Sequence, residues 1–534
     1  MKSFLKSFFA SLLAFLVIVL IVIGIAASKS AQKSEIKDGS WLVIDIYGSL
    51  DEYSPPGGVM SEIVGGKSET LQRILTNLEK VTVDDRIEGV VLKMSASNGA
   101  GRAMFEEIRG AVKKVQASGK KVIGFSDSMD RDLYYLACAC DSLYMPPTGY
   151  MIFIGTAVTT DHLLGTFEKL GISQNMHRIK DYKSAAELMT RKDMSPTARE
   201  NKEWMLDEYW DLFCEAVEED RGLSEEKITE AMDAALLIPY KAVEMGLLDD
   251  TRYWDEIEDV LKGDGEKLLT VGQGRYADEK PEDLGLKGKK TIAVIHAQGF
   301  IGGRKNRVDP MLGIMMGHET IVAEFKKALK DDDVAAIVFR VNSGGGEGLA
   351  SDLMGHQVEI TASEKPVVVS MVDVAASGGY HIAYRATKIL ADKMTITGSI
   401  GSISGKMNIA GLHDKIGISH DFVTKGPNAL FYSPYRDFTA EEWKLFTDDH
   451  WEGFNNWLRD VSEHRGMTFE EAEKLAHGRV YFGRQALENG LIDEVGGLDR
   501  AIEIAKELSE IPAEDNVTVA HYPVKKGFFE ELVG

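Results

Sequence analysis

Two stretches of this chain carry residue types suited to acyl-transfer chemistry. In Asp373-Val374-Ala375-Ala376-Ser377-Gly378-Gly379-Tyr380, a serine stands among small residues at the end of the apolar run Val367–Val374. A substrate carbonyl can approach such a hydroxyl. A second run, Ala335–Val341, leads straight into Asn342-Ser343-Gly344-Gly345-Gly346. Two glycine turns at strand ends can leave bare backbone N–H groups aimed at one spot, and with a helix N-terminus behind them such donors stabilise an oxyanion. The plainer reading is a pair of structural turns in an α/β protein. The pattern is not the G-x-S-x-G elbow, because Ala375 takes the first glycine position.

A serine nucleophile needs a base. His381 lies four residues on, one helical turn away, where a side chain tends to point off rather than back. The other choice is a lysine whose amine is neutral: an exposed lysine has a pKa of about 10.4, and burial lowers it towards neutrality. Lys183, in Lys180-Asp181-Tyr182-Lys183-Ser184-Ala185-Ala186, is such a candidate, followed by small residues and then the polar, proline-containing run 191–200.

The elements that must position these groups come in two copies. Ile87–Met94 resembles Val334–Val341, Gly119–Phe125 resembles Glu364–Ser370, and Ala242–Asp249 resembles Ala486–Asp493, at an offset that stays at about 244–247 residues. This predicts an N-terminal repeat over 41–261, a linker over 262–290 rich in Gly, Lys, Glu and Asp, and a C-terminal repeat over 291–534. Near-continuous apolar runs such as Thr291–Gly299 and Lys365–Val372, separated by helical patterns, predict an α/β fold with buried parallel strands. The copies differ where the chemistry lies. Arg131 stands opposite Ser377, Asn428 or Ala429 opposite Lys183, and Ser97-Asn98-Gly99 opposite the glycine triplet. One copy has the serine without the lysine and the other the reverse, as one site shared between duplicated domains would leave them.

The sequence resembles the signal peptide peptidase A (protease IV) family in its long, duplicated, membrane-anchored bacterial form. Three stretches carry the likeness: Asp373–Tyr380, Asp181–Glu187 and Ile396–Gly401. The resemblance implies that Ser377 is the nucleophile, Lys183 the general base and acid, and Ser399 the residue that orients the lysine amine. It implies oxyanion donors at the Gly346 and Gly378 amides, and tandem crotonase/Clp-protease-like ββα-spiral domains. It also implies a homotetramer on the outer face of the cytoplasmic membrane, degrading cleaved signal peptides and other apolar peptides without a metal or cofactor. Gly344 replaces the family's usual proline, and Glu347 puts a carboxylate near the presumed cleft. Two other readings of the same residues are a crotonase-type acyl-CoA enzyme and an inert membrane scaffold.

Composition and the N-terminus bound the rest. Of 534 residues, 61 are Lys or Arg and 84 Asp or Glu, a net charge of −23 that repels phosphate backbones and makes nucleic acid an unlikely partner. Three cysteines cannot build a disulfide framework or a four-thiolate zinc site; Cys138 and Cys140 read as small buried hydrophobes. The histidines His450 and His464 read as helix-surface residues. Residues 8–27 carry no charge and are long enough to cross a bilayer, and Lys2 and Lys6 before them predict an N-terminus inside and catalytic domains on the far side. An uncleaved anchor is favoured over a signal peptide, although Ala26, Ala27 and Ser28 leave cleavage open.

Overall fold

The computed structural model describes residues 35–48, 50–53, 69–96, 101–263, 265 and 267–524, together with Leu13. The apolar run 8–27 and the stretch Ser97-Asn98-Gly99 lie outside the described residues, apart from Leu13 itself. Among the described residues no helix is long and apolar enough to cross a membrane.

The first half supplies strands β1 (Ser40–Ile46), β2 (Ile87–Met94), β3 (Lys121–Ser126), β4 (Ser142–Met145), β5 (Ser173–Ile179), β6 (Asp250–Thr251) and β7 (Thr270–Gly272). All but β5 form one parallel sheet in the order β7-β1-β2-β3-β4-β6. The second half supplies β8 (Thr291–Gln298), β9 (Val334–Ser343), β10 (Val367–Ala376), β11 (Lys388–Ala391), β12 (Ile396–Gly398), β13 (Ser402–Asn408), β14 (Val480–Phe482), β15 (Glu494–Val495) and β16 (Thr518–Tyr522). Here β14-β12-β10-β9-β8-β16 make the main path, with β11 on β10 and β15 on β11. Within this sheet, among the described residues, the β12–β14 pair alone is antiparallel. The places of β2, β3 and β4 in the first sheet are taken by β9, β10 and β11 in the second, so the internal repeat is realised as two sheets of one design. Their near-continuous apolar runs follow from cover on both faces: Ile292–Ala297 are all buried.

The two halves are not separate bodies. Between their sheets lies α2 (Arg102–Ala117), packed on α1 (Leu71–Val83), and one continuous core takes in Leu92 and Ile108 of the first half with Val338, Val368 and Leu498 of the second. The N-terminus of α2 has only Gly101 as cap, and Asp373 of β10 caps it from the other half, accepting from the Ala103 and Met104 amides at 3.0 and 3.3 Å. Beside it the fully buried Arg340 bonds Glu52 at 2.8 Å and Glu107 at 2.6 Å, both first-half residues.

The sequence-based linker 262–290 is partly a structural piece of the first half. Strand β7 extends the first sheet in register Trp41↔Thr270, Tyr276 is buried, and Lys80 Nζ donates to the Tyr276 and Glu279 carbonyls at 2.7 and 3.0 Å. A three-residue strand is too short to leave a hydrophobic period, which is why composition alone read as a connector.

Two elements reach across. Strand β5 leaves the first half and pairs antiparallel with β13, from Ser173↔Asn408 to Ile179↔Ser402. After it comes the 26-residue helix α3 (Pro196–Arg221), started by Ser195, whose side chain accepts from the Ala198 amide, with Pro196 in its first turn, and closed by Gly222 at φ +66°. Asn201 on α3 makes a two-way amide bond with the Val480 backbone of β14, at 3.2 and 3.1 Å.

Candidate active site

Strand β10 ends at Ala376, and a single helical turn, α4 (Gly378–His381), begins directly after Ser377. Ser377 is left at φ 55°, ψ −117°, a conformation that L-residues avoid and that surrounding bonds must hold. Its N–H donates to Gly398 O at 2.9 Å on β12, and its carbonyl accepts from His381 N at 2.9 Å.

The two glycine turns meet. A Cβ on Gly378 would lie 3.0 Å from Gly346 N, and one on Gly345 would lie 2.6 Å from Gly378 N, so side chains there would drive the turns apart. Ile301 N donates to Gly345 O and Glu347 N to Ile301 O, which uses the bonds flanking Gly346 and turns its own N–H away. Among the described residues neither the Gly346 nor the Gly378 N–H has an acceptor. The turn does not need the absent proline: Ser343 Oγ donates to Gly299 O at 2.6 Å and accepts from Gly345 N at 3.1 Å. The Glu347 carboxylate accepts from Gly303 N at 3.2 Å and stands between Gly346 and Gly348, which both line the cleft.

The lysine arrives from the other half. Past the end of β5, Lys180 turns the chain at φ 75° and Tyr182 N donates to His477 O at 2.9 Å. Lys183 follows, 6% exposed, and its Nζ donates to Ser399 O at 2.7 Å and Ser399 Oγ at 2.9 Å. The β5–β13 register makes this meeting possible: Ile179 opposes Ser402, so the residues just after the one and just before the other converge. Burial pushes the Lys183 amine down to about 7. Among the described residues no carboxylate forms an ion pair with it.

Lys183, Ser377, Ser399, Gly346 and Gly378 all line one cleft of about 1030 Å³, with Phe300, Leu349, Phe454 and Trp457 as its apolar wall. A hydroxyl on a strained turn, two unpaired amides and a desolvated amine in one cleft are the parts of a nucleophilic acyl-transfer centre. Residues 114–267 and 359–512, one span in each half, both match peptidase family S49. The chain belongs to peptidase family S49. It is a serine protease. The chain is 33% identical over 491 residues to the chloroplastic serine protease SPPA of Arabidopsis thaliana, covering 91% of this chain and 71% of that one. It is 30% identical to protease 4 of Haemophilus influenzae, over 81% and 72% of the two chains. With protease 4 of Salmonella typhi the identity is 29%, over 85% and 75%.

In this S49 chain His381 also lines the cleft. Its ring lies flat on Trp457, with centroids 4.9 Å apart, and its Nε2 stands 3.6 Å from Asp352, while burial holds its pKa down. Arg131, opposite Ser377 in the first copy, opens a helix and pairs with Asp132, and Asn428 and Ala429 are exposed. Cys138, Cys140 and Cys214 are free and buried. His464 is exposed, but His450 is not a surface residue: half-buried on the cleft wall, it bonds Ser402 Oγ at 2.7 Å.

The sequence reading also missed Gly478. At φ +79°, it packs against the lysine so tightly that a Cβ there would lie 2.4 Å from Lys183 N. Its glycine in His477-Gly478-Arg479 was the available signal, but nearly 300 residues of intervening chain gave no reason to connect the two. Among the described residues no cluster of His, Cys, Asp and Glu is placed to hold a metal ion.

Proposed function

We propose that this S49 protease works through a Ser377–Lys183 dyad. The observation that carries the reading is the state of Lys183: buried, without an acid partner among the described residues, its amine donating twice to Ser399 in the cleft that Ser377 lines. A neutral amine has two N–H bonds and one lone pair. Ser399 O and Oγ take the two N–H bonds, and the lone pair is left to accept the Ser377 proton. Ser377 Oγ attacks the peptide carbonyl, and the Gly346 and Gly378 amides receive the oxyanion. The protonated lysine then gives its proton to the leaving amine, and a water activated the same way hydrolyses the acyl-enzyme.

The apolar wall of Phe300, Leu349, Phe454 and Trp457 supports apolar peptides, cleaved signal peptides among them, as substrates. The uncharged run 8–27 supports a single-pass anchor in the cytoplasmic membrane with the catalytic halves outside it. In that setting two crotonase/Clp-like spiral domains per chain assemble as a homotetramer, with no nucleic acid partner. The decisive experiment is hydrolysis of an apolar peptide by the purified protein. Ser377→Ala and Lys183→Ala each abolish it, and a serine-directed phosphonate labels Ser377 in the parent only. Full activity in either variant rejects the dyad.

A further inference from the structure

The cleft contains a serine–histidine array that the dyad does not use. Ser402 and His450 both line the cleft with Lys183 and Ser377. Ser402 Oγ and His450 Nε2 are 2.7 Å apart, and His450 Nδ1 and His177 Nδ1 are 2.8 Å apart. His177, on β5, belongs to the first half, and Ser402, on β13, to the second. The His177 ring is held between Trp443 and Trp451, at 5.9 and 6.3 Å between centroids. Ser402 is not a rival nucleophile: it sits on a regular strand, without the positive φ of Ser377.

Burial lowers the pKa of both imidazoles, that of His450 to about 4, and so favours the neutral form of each. A neutral imidazole has one N–H and one bare nitrogen, so only one of the two facing Nδ1 atoms carries a proton. If His177 donates, His450 Nε2–H donates to Ser402 Oγ and the Ser402 O–H is free to donate into the cleft. If His450 donates, Ser402 gives its proton to Nε2 and presents lone pairs instead. The two-histidine chain thus holds the hydroxyl in place and lets it act as donor or acceptor. A substrate hydroxyl, itself both donor and acceptor, matches that behaviour in either state.

We infer that Ser402, positioned by His450 and His177, is a specificity-determining residue of the peptidase, forming a subsite for a seryl or threonyl side chain in a cleft that is otherwise apolar along one wall. The inference rests on peptide hydrolysis in this cleft. A subsite built to bond a hydroxyl rejects the isostere that lacks it, here by about tenfold for one hydrogen bond.

The test uses the full-length assembled enzyme and paired fluorogenic peptides that differ only by threonine or valine, at each position flanking the scissile bond in turn. At one position the parent cleaves the threonine peptide about tenfold better in kcat/KM, mainly through KM. Ser402→Ala and His450→Phe bring that ratio to within twofold of one, the threonine peptide losing several-fold more kcat/KM than the valine peptide. Should Ser402→Ala not fold, His177→Phe, whose side chain is not on the cleft wall, must lower the ratio at least threefold. Absence of any threonine preference dependent on these residues, or equal losses with both peptides, overturns the inference. Ser377→Ala run alongside separates the two failures: activity surviving there removes the dyad, whereas an inactive Ser377→Ala with no threonine preference in the parent removes only the subsite.

Discussion

Gly478→Ala perturbs the lysine without touching its side chain chemistry. The added Cβ would lie 2.4 Å from Lys183 N and 2.7 Å from both Lys183 Cα and Cβ. Ordinary contact begins near 3.4 Å, so the two segments must separate by about 1 Å, and none of the three atoms is the free end of a flexible side chain. The Gly478 segment cannot absorb the shift alone, because Gly478 N is bonded to Ile400 O and His477 O to Tyr182 N, each at 2.9 Å. The displacement is therefore shared with Lys183, and its Nζ leaves the two Ser399 acceptors. A misplacement of about 1 Å in a catalytic group lowers the rate by about a hundredfold. The left-handed φ of +79° adds a stability loss of about 1–2 kcal/mol. Gly222→Ala separates the two effects: at φ +66° it pays the same backbone penalty, but nothing lies within 4 Å of its Cβ. The assay is kcat/KM on an apolar peptide beside thermal melting. Both variants lose Tm, Gly478→Ala the more because of its clash, and only Gly478→Ala loses activity. A folded Gly478→Ala enzyme within threefold of the parent refutes the claim that this glycine sets the lysine's position.

The pH–rate profile has an acid limb near the Lys183 pKa of about 7: below it the amine is protonated, and kcat/KM falls about tenfold per pH unit. A plateau extending to pH 5 contradicts a neutral-lysine base. Because the folded pKa lies below the unfolded value of about 10.5, the unfolded chain binds the extra proton between the two, and this group's contribution to stability rises with pH across that window. Lys183→Met accordingly abolishes activity yet stabilises the fold at pH 7, by on the order of 3–5 kcal/mol, with the gain vanishing above pH 10.5; denaturant titration at several pH values reads it. Arg340→Ala strands the Glu52 and Glu107 carboxylates in the shared core and destabilises by about 3–5 kcal/mol, seen as a lower urea midpoint; an unchanged midpoint contradicts the clamp between halves. Ser399→Ala removes one of the two acceptors of the Lys183 amine and lowers kcat by about tenfold or more with KM little changed; an unaltered kcat denies it an orienting role.

Much of the fold was legible because its signals are local or repeated. The near-continuous apolar runs at β8, β9 and β10 announce strands covered on both faces, and the nearly constant offset between copies announces a second sheet of the same order. Ser377 and Lys183 were legible through the same repeat, each present where the other copy lacks it. Features formed by distant segments were not. The cap that Asp373 gives α2 joins residues 270 apart, and the Ser402–His450–His177 chain depends on β5 pairing with β13, which are not corresponding parts of the two copies. The apparent linker hid β7 because three residues are too few to show a period. His450, on a helix rich in charged residues, gave no sign that one side of that helix walls a cleft.

The antiparallel pairing of β5 with β13 carries a consequence for synthesis. A growing polypeptide that has emerged only through its first half possesses the amine but neither the hydroxyl nor the partner strand that buries it. On the proposed dyad, that lysine stays an ordinary solvated cation until the remainder of the chain is made and docks. On that reading the first half alone has no peptidase activity, and activity begins only once the remainder of the chain has been made and has docked.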